Sequence, residues 1–499
     1  MSNASRSSKL DREIRVGTRT ILVAQIASQF VSLIVLSALF RSVSTASFGL
    51  LGMIIPWIGL PRMLALAGVQ VALIQPDELS QEQKSGLFWL NLGIGAVSAL
   101  FVIAVGFGLA ELYQAPDLRS LGLALSGTSL VMALAASHQS LLERRLQMKQ
   151  LTLSRIFAQA IAGGVAVAAA FAQWEVWALV VQQYVELALL VIAVWYCEPW
   201  RPAWWPGRGS LKGLIRFGSY YSLSNLVLYI SQNIDKIMVA ILVGRTGAGR
   251  AAVGMYCQVF NLVMRPVYLI VQPLGGVFLP GLSRAKNDAR TYSDLVARLF
   301  RMASIVLVPC GIGLTLVSKD LMAIMGGDKW QHAGLILTAL APVIVVQGMI
   351  NVSGSVYSSA GRTGAMLVAT VVYTIVLIQG IVGGYWIAGL QDVSLPDEMV
   401  KATGVAAGFS LTTVLALSIP YLHFCCRSAA VDFLSTVRPL AGSFLAGAAM
   451  GAMVFTVGLS MPDQSPWLRL PLMVGTGVLS YLFLARRELR WFVSVTRRD

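Results

Sequence analysis

GTRTILVAQIASQFVSLIVLSALF at 17–40 and GSYYSLSNLVLYISQNIDKIMVAILV at 218–243 decide how this chain folds. Each is an apolar run opening on a glycine and free of proline. A hydrocarbon core about 30 Å thick takes about 20 helical residues to cross, so each run reads as a spanning helix. Each leads through a short loop into a similar second segment, FGLLGM at 48–53 and VGMYCQ at 253–258. Similar helix pairs at matching places suggest an internal duplication, as in many transporters.

The rest of the chain repeats the pattern. Of 499 residues, 56% are hydrophobic and only 12% are charged. An ordinary soluble protein carries about 25% charged residues. The apolar residues come in blocks of roughly 20, whereas strands of a membrane barrel would alternate apolar and polar over about 10 positions. A window of about 19 residues places about fourteen spans, near 16–40, 48–74, 86–108, 119–140, 151–172, 176–196 and 214–243. They continue at 252–279, 297–317, 335–356, 364–388, 403–425, 437–459 and 467–485. The expected fold is an all-α polytopic membrane protein. Residues 1–205 and 206–428 form two pseudo-symmetric six-helix lobes, and 429–499 adds two helices and a basic tail. Pro56, Pro61, Pro266 and Pro273 lie inside spans, which membrane helices tolerate when neighbours re-satisfy the backbone. Helices 2 and 8 are therefore candidates for kinks, with helix 7, which carries no proline, a weaker third. The connector CEPWRPAWWPGRGSLKG at 197–213 reads either as an interfacial segment joining the lobes or as an ordinary aromatic belt.

A net charge of +15 raises the question of nucleic acid, but no basic run is interleaved with aromatics and no nucleic-acid motif occurs. No nucleic acid is expected. The Lys and Arg residues sit at helix ends instead. With the N-terminus cytoplasmic, 27 fall on the cytoplasmic side and 8 on the other, so the positive-inside rule puts both termini in the cytoplasm. No cleavable signal peptide is expected ahead of the first span. Cys197, Cys257, Cys310, Cys425 and Cys426 have neither ligand spacing nor a pairing pattern, and read as small apolar residues of membrane helices. His138 and His423 fall at helix ends and His332 in a loop. Solvated or interfacial roles are expected for them, and no metal or cofactor.

Ionisable residues inside spans cost about 2.5–3.5 kcal/mol each on insertion scales, so they mark function by default. Arg62 and Arg265 lie deep in spans and flank prolines, as Pro61-Arg62 and Arg265-Pro266. Arg19 lies one turn into the first span. A guanidinium stays protonated and matches phosphate oxygens bidentately, so an anionic headgroup such as a diphosphate suits these three. Pairing with a buried carboxylate, or snorkelling to an interface, is the other reading. Asp235, with Glu186 as a second candidate, suits coupling to a cation. Adjacent Asp235 and Lys236 point in different directions on their helix, and structural pairing between helices accounts for them equally well. Asn225, Gln232 and Asn233 are candidates for contact with sugar hydroxyls or for bonds across helices.

The chain resembles the polysaccharide-transport branch of the multidrug/oligosaccharidyl-lipid/polysaccharide (MOP) exporters, the flippases of Wzx type. The resemblance rests on FGLLGM, on ALIQPDELSQEQKSGLFWLNL at 72–92, on LLERRLQMKQL at 141–151 and on WALVVQQ at 177–183. It continues through WRP at 200–202, FGSYYSLSNLVLYISQNIDKIMVAIL at 217–242, GMYCQVFNLVMRPVYLIVQPLGGVFLPGLSR at 254–284 and GGDKWQHAG at 326–334. It is greatest to the subgroup serving exopolysaccharides of the colanic-acid and xanthan (gum) kind. It implies two lobes rocking around a central cavity in a bacterial inner membrane. The implied substrate is an oligosaccharide on undecaprenyl diphosphate, and the implied partners are a polymerase and a chain-length regulator. Related lipid II flippases keep essential arginines in helices 1, 2 and 8, where Arg19, Arg62 and Arg265 stand.

Three rival readings are set against this one. A cation-coupled drug antiporter of the same superfamily would favour cavity carboxylates over arginines. A membrane glycan polymerase or ligase would need a large external loop, and none of the expected loops exceeds roughly 20 residues. A structural scaffold fits poorly with arginines deep in spans. No phosphate loop of the GxxxxGK[ST] kind occurs, and no enzymatic activity is expected.

Overall fold

The computed structural model describes residues 27–74, 79–145, 147–204, 212–391 and 395–496. Within them the elements are helical. The first seven are α1 (Ala27–Ser42), α2 (Thr45–Ile74), α3 (Gln81–Leu112), α4 (Asp117–Arg144), α5 (Met148–Phe171), α6 (Val176–Cys197) and α7 (Lys212–Val243). The next six are α8 (Gly247–Ala285), α9 (Ala289–Gly326), α10 (Ala333–Leu340), α11 (Val343–Ala360), α12 (Thr363–Gly389) and α13 (Asp397–Leu411). The last five are α14 (Ser418–Ser428), α15 (Phe433–Val437), α16 (Ala441–Leu459), α17 (Pro466–Leu484) and α18 (Arg486–Thr496).

Among the described residues eleven helices are long and apolar enough to cross a membrane, or thirteen if two bent pairs each count as one span. The chain is thus a multi-pass helical membrane protein, as expected, although the described residues do not confirm a count of fourteen. The expected first span at 16–40 begins outside the described residues, and its described part turns sharply into α2, through 120°. The other bent pair, α10 and α11, turns through 48° at Pro342, which has no N–H to continue a helix. α2 runs on through Pro56 and Pro61, and α8 through Pro266, Pro273 and Pro280. Between α13 and α14 the chain widens into a π-helical segment, Thr412–Leu417. Pro420, two residues into α14, would clash with the carbonyl of Ala416 in a regular helix, and the wider turn relieves it.

The chain divides into two compact units, 1–233 and 234–499, and the division falls within α7. In the first unit α3 and α4 meet at glycines. A Cβ on Gly106 would lie 2.7 Å from the Cα of Gly122, so the backbones touch. α3 starts on a reciprocal cap: Ser80 Oγ accepts from Gln83 N (3.2 Å) and Gln83 Oε1 accepts from Ser80 N (3.0 Å). The start of the connector is docked on this unit. Trp89 Nε1 donates to Ala203 O (2.9 Å), Ala203 N to Ser85 Oγ (2.9 Å) and Gln81 Nε2 to Arg201 O (2.9 Å). Beneath it, Glu198 is fully buried, with Arg145 Nη1 3.1 Å from its Oε2. The expectation of a solvated His138 is overturned here. Its side chain is buried, stacks on Trp195 at 4.3 Å and meets the Trp200 carbonyl at 3.1 Å.

In the second unit α12 and α13 pack closely along Gly380 and Gly384 on one side and Gly404 and Gly408 on the other. Small residues let membrane helices approach in this way. α16 and α17 pack on α9 through Val317, Met450, Val454, Met473 and Tyr481. Tyr481 donates to the Ile305 carbonyl (2.7 Å). Ion pairs pin the same contact at both ends: Arg469 of α17 with Asp320 of α9, and Arg301 Nε of α9 with Glu488 Oε2 of α18 at 2.8 Å.

Candidate functional site

The candidate residues divide between the two units. Arg19 lies outside the described residues. Arg62 and Asn225 have described backbone within α2 and α7. In the first unit the middle of α7 lies against α2. Tyr229 Oη donates to the Pro56 carbonyl (3.0 Å), and its ring covers Gly59 so closely that a Cβ there would collide. That contact sits one turn before Arg62 and one turn after Asn225, so the two candidates occupy neighbouring stretches of neighbouring helices. Gln232 is exposed, while Asn233 Nδ2 donates to the Tyr229 carbonyl (2.9 Å), a bond along its own helix. Glu186 is half-buried on α6, away from this group in sequence and in element.

The second unit holds Asp235, Lys236 and Arg265. Asp235 is buried, and its Oδ2 accepts from Tyr256 Oη at 3.3 Å. Lys236 diverges from it, as adjacent helical positions must, and its Nζ lies 5.1 Å from the centre of the Phe260 ring. Their separation is therefore observed, with one group on a hydroxyl and the other on an aromatic face. Arg265 is half-buried, and its Nη1 is buried with no hydrogen-bond partner among the described residues. A buried guanidinium nitrogen left without a partner inside a span is costly and calls for an anion or water.

Periodicity also reveals a feature that the sequence reading missed. Gln258, Asn261, Arg265 and Tyr268 fall at i, i+3, i+7 and i+10 on α8, one face of a helix. Gln258 and Arg265 are half-buried while Asn261 and Tyr268 are exposed, and the residues between them are mostly buried apolar ones. A polar stripe within an otherwise buried span belongs against water or ligand rather than lipid. Pro266 also lacks the N–H that the Leu262 carbonyl would otherwise accept, leaving an acceptor on this stretch. α11, packed beside α8, carries Gln347, Asn351 and Ser355 at i, i+4 and i+8. Gln347 Nε2 donates to Tyr373 Oη (2.9 Å), and that hydroxyl lies 3.3 Å from Thr413 Oγ1 in the π-helical segment. The signal that finds these residues is a 3.6-residue polar period inside apolar spans. The unit thus offers a cation, amides, hydroxyls and backbone acceptors, a set suited to a polar, anionic ligand.

Elsewhere in this unit an apolar cavity of about 580 Å³ lies among α9, α11, α14 and α16, lined by Leu316, Val346, Met349, Ile419 and Phe444. Among the described residues no group of three or more His, Cys, Asp or Glu is placed to hold a metal ion.

A bundle of long apolar helices with charged and polar side chains set inside its spans is the build of a membrane transporter. Its family follows from comparison with known proteins. A family model described as polysaccharide biosynthesis protein matches residues 38–335, more than half of the chain, and the chain belongs to that family. The resemblance to the polysaccharide-transport branch of the MOP exporters therefore stands. The chain is 27% identical over 429 residues to the teichuronic acid biosynthesis protein TuaB of Bacillus subtilis (strain 168), covering 84% of this chain and 83% of the relative. It is 23% identical to the succinoglycan biosynthesis transport protein ExoT of Rhizobium meliloti (strain 1021), over 87% of this chain and 90% of the relative. The lipopolysaccharide biosynthesis protein WzxC of Escherichia coli (strain K12) shares 22% identity over 81% of this chain and 79% of its own length. Among solved structures, the lipid II flippase MurJ in an inward closed conformation matches with a TM-score of 0.73 at 14% identity, over 95% of this chain and 99% of that one. An inward-facing multidrug MATE transporter of the MOP superfamily gives 0.57 at 14%, over 80% and 95%. At such identity these two establish the fold alone.

Proposed function

We propose that this chain flips undecaprenyl-diphosphate-linked oligosaccharide units from the cytoplasmic to the periplasmic face of a bacterial inner membrane. It would supply the export of a polysaccharide and would itself catalyse no chemical reaction. Membership of the family and the names of its relatives support transport in polysaccharide biosynthesis. The observation that carries the substrate class is Arg265, whose buried Nη1 has no hydrogen-bond partner among the described residues and whose helix face is otherwise polar.

In this reading Arg265, Arg62 and Arg19 hold the diphosphate. Asn225, Gln232 and Asn233 meet sugar hydroxyls, together with the amides and Tyr268 of the second unit. The polyprenyl tail stays in the bilayer. Two lobes alternate access to the headgroup, and the units then pass to a polymerase working with a chain-length regulator. The distribution of 27 basic residues against 8 supports a cytoplasmic location for both termini. Binding alone gives a cycle no direction, so a gradient, the membrane potential or product removal must bias it. Asp235 is the leading coupling group, with Lys236 and Glu186 behind it.

The test is the lipid-linked oligosaccharide pool in cells carrying Arg62→Ala with Arg265→Ala, with membrane levels confirmed. Undecaprenyl-linked units are expected to accumulate on the cytoplasmic face while export stops. Normal export would sink the arginine mechanism, and a normal lipid-linked pool in a strain lacking the protein altogether would sink the flippase reading.

A further inference from the structure

α18 reads RRELRWFVSVT and begins one residue after the span α17 ends. Its inner face is held by the protein. Glu488 pairs with Arg301 of α9 at 2.8 Å, the guanidinium carbon of Arg301 lies 3.9 Å from the centre of the Trp491 ring, and Leu489 packs on the core formed with α16 and α17. Its outer face carries Arg486, Arg487 and Arg490, all exposed. Arg486 lies over the ring of Phe483, 5.2 Å from its centre, at the very end of the apolar span. The arginines therefore stand where hydrocarbon gives way to headgroups. Arg298, one turn from Arg301 on α9, is also exposed. Opposing these charges, Glu488 is already matched by Arg301, and Asp294 is exposed one turn further back on α9.

A helix with one face packed and the other basic, leaving a span at its boundary, is suited to lie in the membrane plane. Anionic headgroups attract such clusters within a Debye length of the surface. We propose that α18 is an in-plane anchor whose Arg487 and Arg490 bind the phosphates of anionic phospholipids in the adjoining leaflet. This site is separate from the transport residues and does not rest on the substrate proposed above. Its occupant is a lipid surface rather than an acidic protein, because the charge sits at the level of the headgroups and directly follows a span.

The test uses the full chain in nanodiscs of phosphatidylcholine alone or of an equal mixture with phosphatidylglycerol. Amide hydrogen exchange is then read across 485–496. Exchange is expected to slow roughly thirtyfold in the anionic discs, in line with the attraction of two arginines to such a surface. Arg487→Gln with Arg490→Gln should abolish the difference between the two lipids. Arg301→Gln, which loosens the inner face, should raise exchange in both lipids and keep the difference. Equal exchange in both lipids, as an acidic protein partner would give, overturns the proposal. So does a difference that survives the double substitution.

Discussion

Asp320 and Arg469 show what one buried pair does in this molecule. The Asp320 side chain is 5% exposed and that of Arg469 23%. Both guanidinium donors, Nε at 2.8 Å and Nη2, reach the two carboxylate oxygens. Such pairs add little over an apolar substitute, but removing one partner strands the other charge. Asp320→Asn is therefore expected to cost about 2 kcal/mol, below the full penalty because Arg469 keeps some solvent. It should appear as a lower unfolding temperature in detergent, and an unchanged temperature would show that the pair is dispensable. Asp288 gives a pH-dependent case outside the spans. It caps α9, accepting from Thr291 Oγ1 (2.6 Å) and from the Arg290 and Thr291 N–H groups. The Thr291 hydroxyl, ahead of the N–H groups, holds its carboxyl below the ordinary value of 3.8. The stability this contributes is present above the unfolded value and is lost as pH falls through the folded one. Asp288→Ala should thus speed exchange at 289–292 at neutral pH, after correction for intrinsic rates. The difference should vanish below the folded pKa, and a difference that persists there would remove the carboxylate from the account.

At the scale of elements, glycine positions decide which helices touch. On α12, Gly384 faces α13, and a Cβ there would meet the Gly404 carbonyl and lie 2.8 Å from the Gly408 Cα, whereas Gly383 beside it has no atom within 4 Å. Gly384→Val should force the pair apart and cost about 3 kcal/mol or more. Gly383→Ala should be neutral or stabilise by a few tenths, since alanine is the better helix former. Thermal aggregation of the two purified variants separates these outcomes, and similar behaviour would refute the close packing. The spans themselves were legible because hydropathy is a local quantity, and their described boundaries lie close to the expected ones from α3 to α7. The expected 297–317 fell short of α9, Ala289–Gly326, because a polar helix leaving the bilayer carries no hydropathy signal. The partners were not legible. Asp320 and Arg469 stand 149 residues apart, and nothing local announces that pairing. His138 was misjudged because the aromatic residues that bury it come from α6 and from the connector, 57 and 62 positions further along the chain.

For the whole molecule, Arg265 was legible as a charge within a span, and the polar stripes of α8 and α11 were present in the sequence as a 3.6-residue period. Charge bookkeeping supplies a prediction for the drive behind transport. A diphosphate headgroup carries about two negative charges, and moving them outward across an inside-negative membrane releases about 4–5 kcal/mol per 100 mV. If the headgroup crosses uncompensated, with the arginines remaining in the protein, the potential drives the step. In proteoliposomes with a potassium diffusion potential, outward flipping of a fluorescent lipid-linked oligosaccharide should then accelerate when the inside is negative. It should slow when the sign is reversed. A rate indifferent to the potential would mean that cations travel outward with the headgroup. Asp235, buried and accepting from Tyr256 Oη at 3.3 Å, is the residue to replace next. If Asp235→Asn abolishes dependence on a proton gradient but spares dependence on the potential, the carboxylate carries the coupling and the substrate carries the charge. If the variant keeps both dependences, Asp235 is a structural partner of Tyr256, and the drive lies with the anion itself.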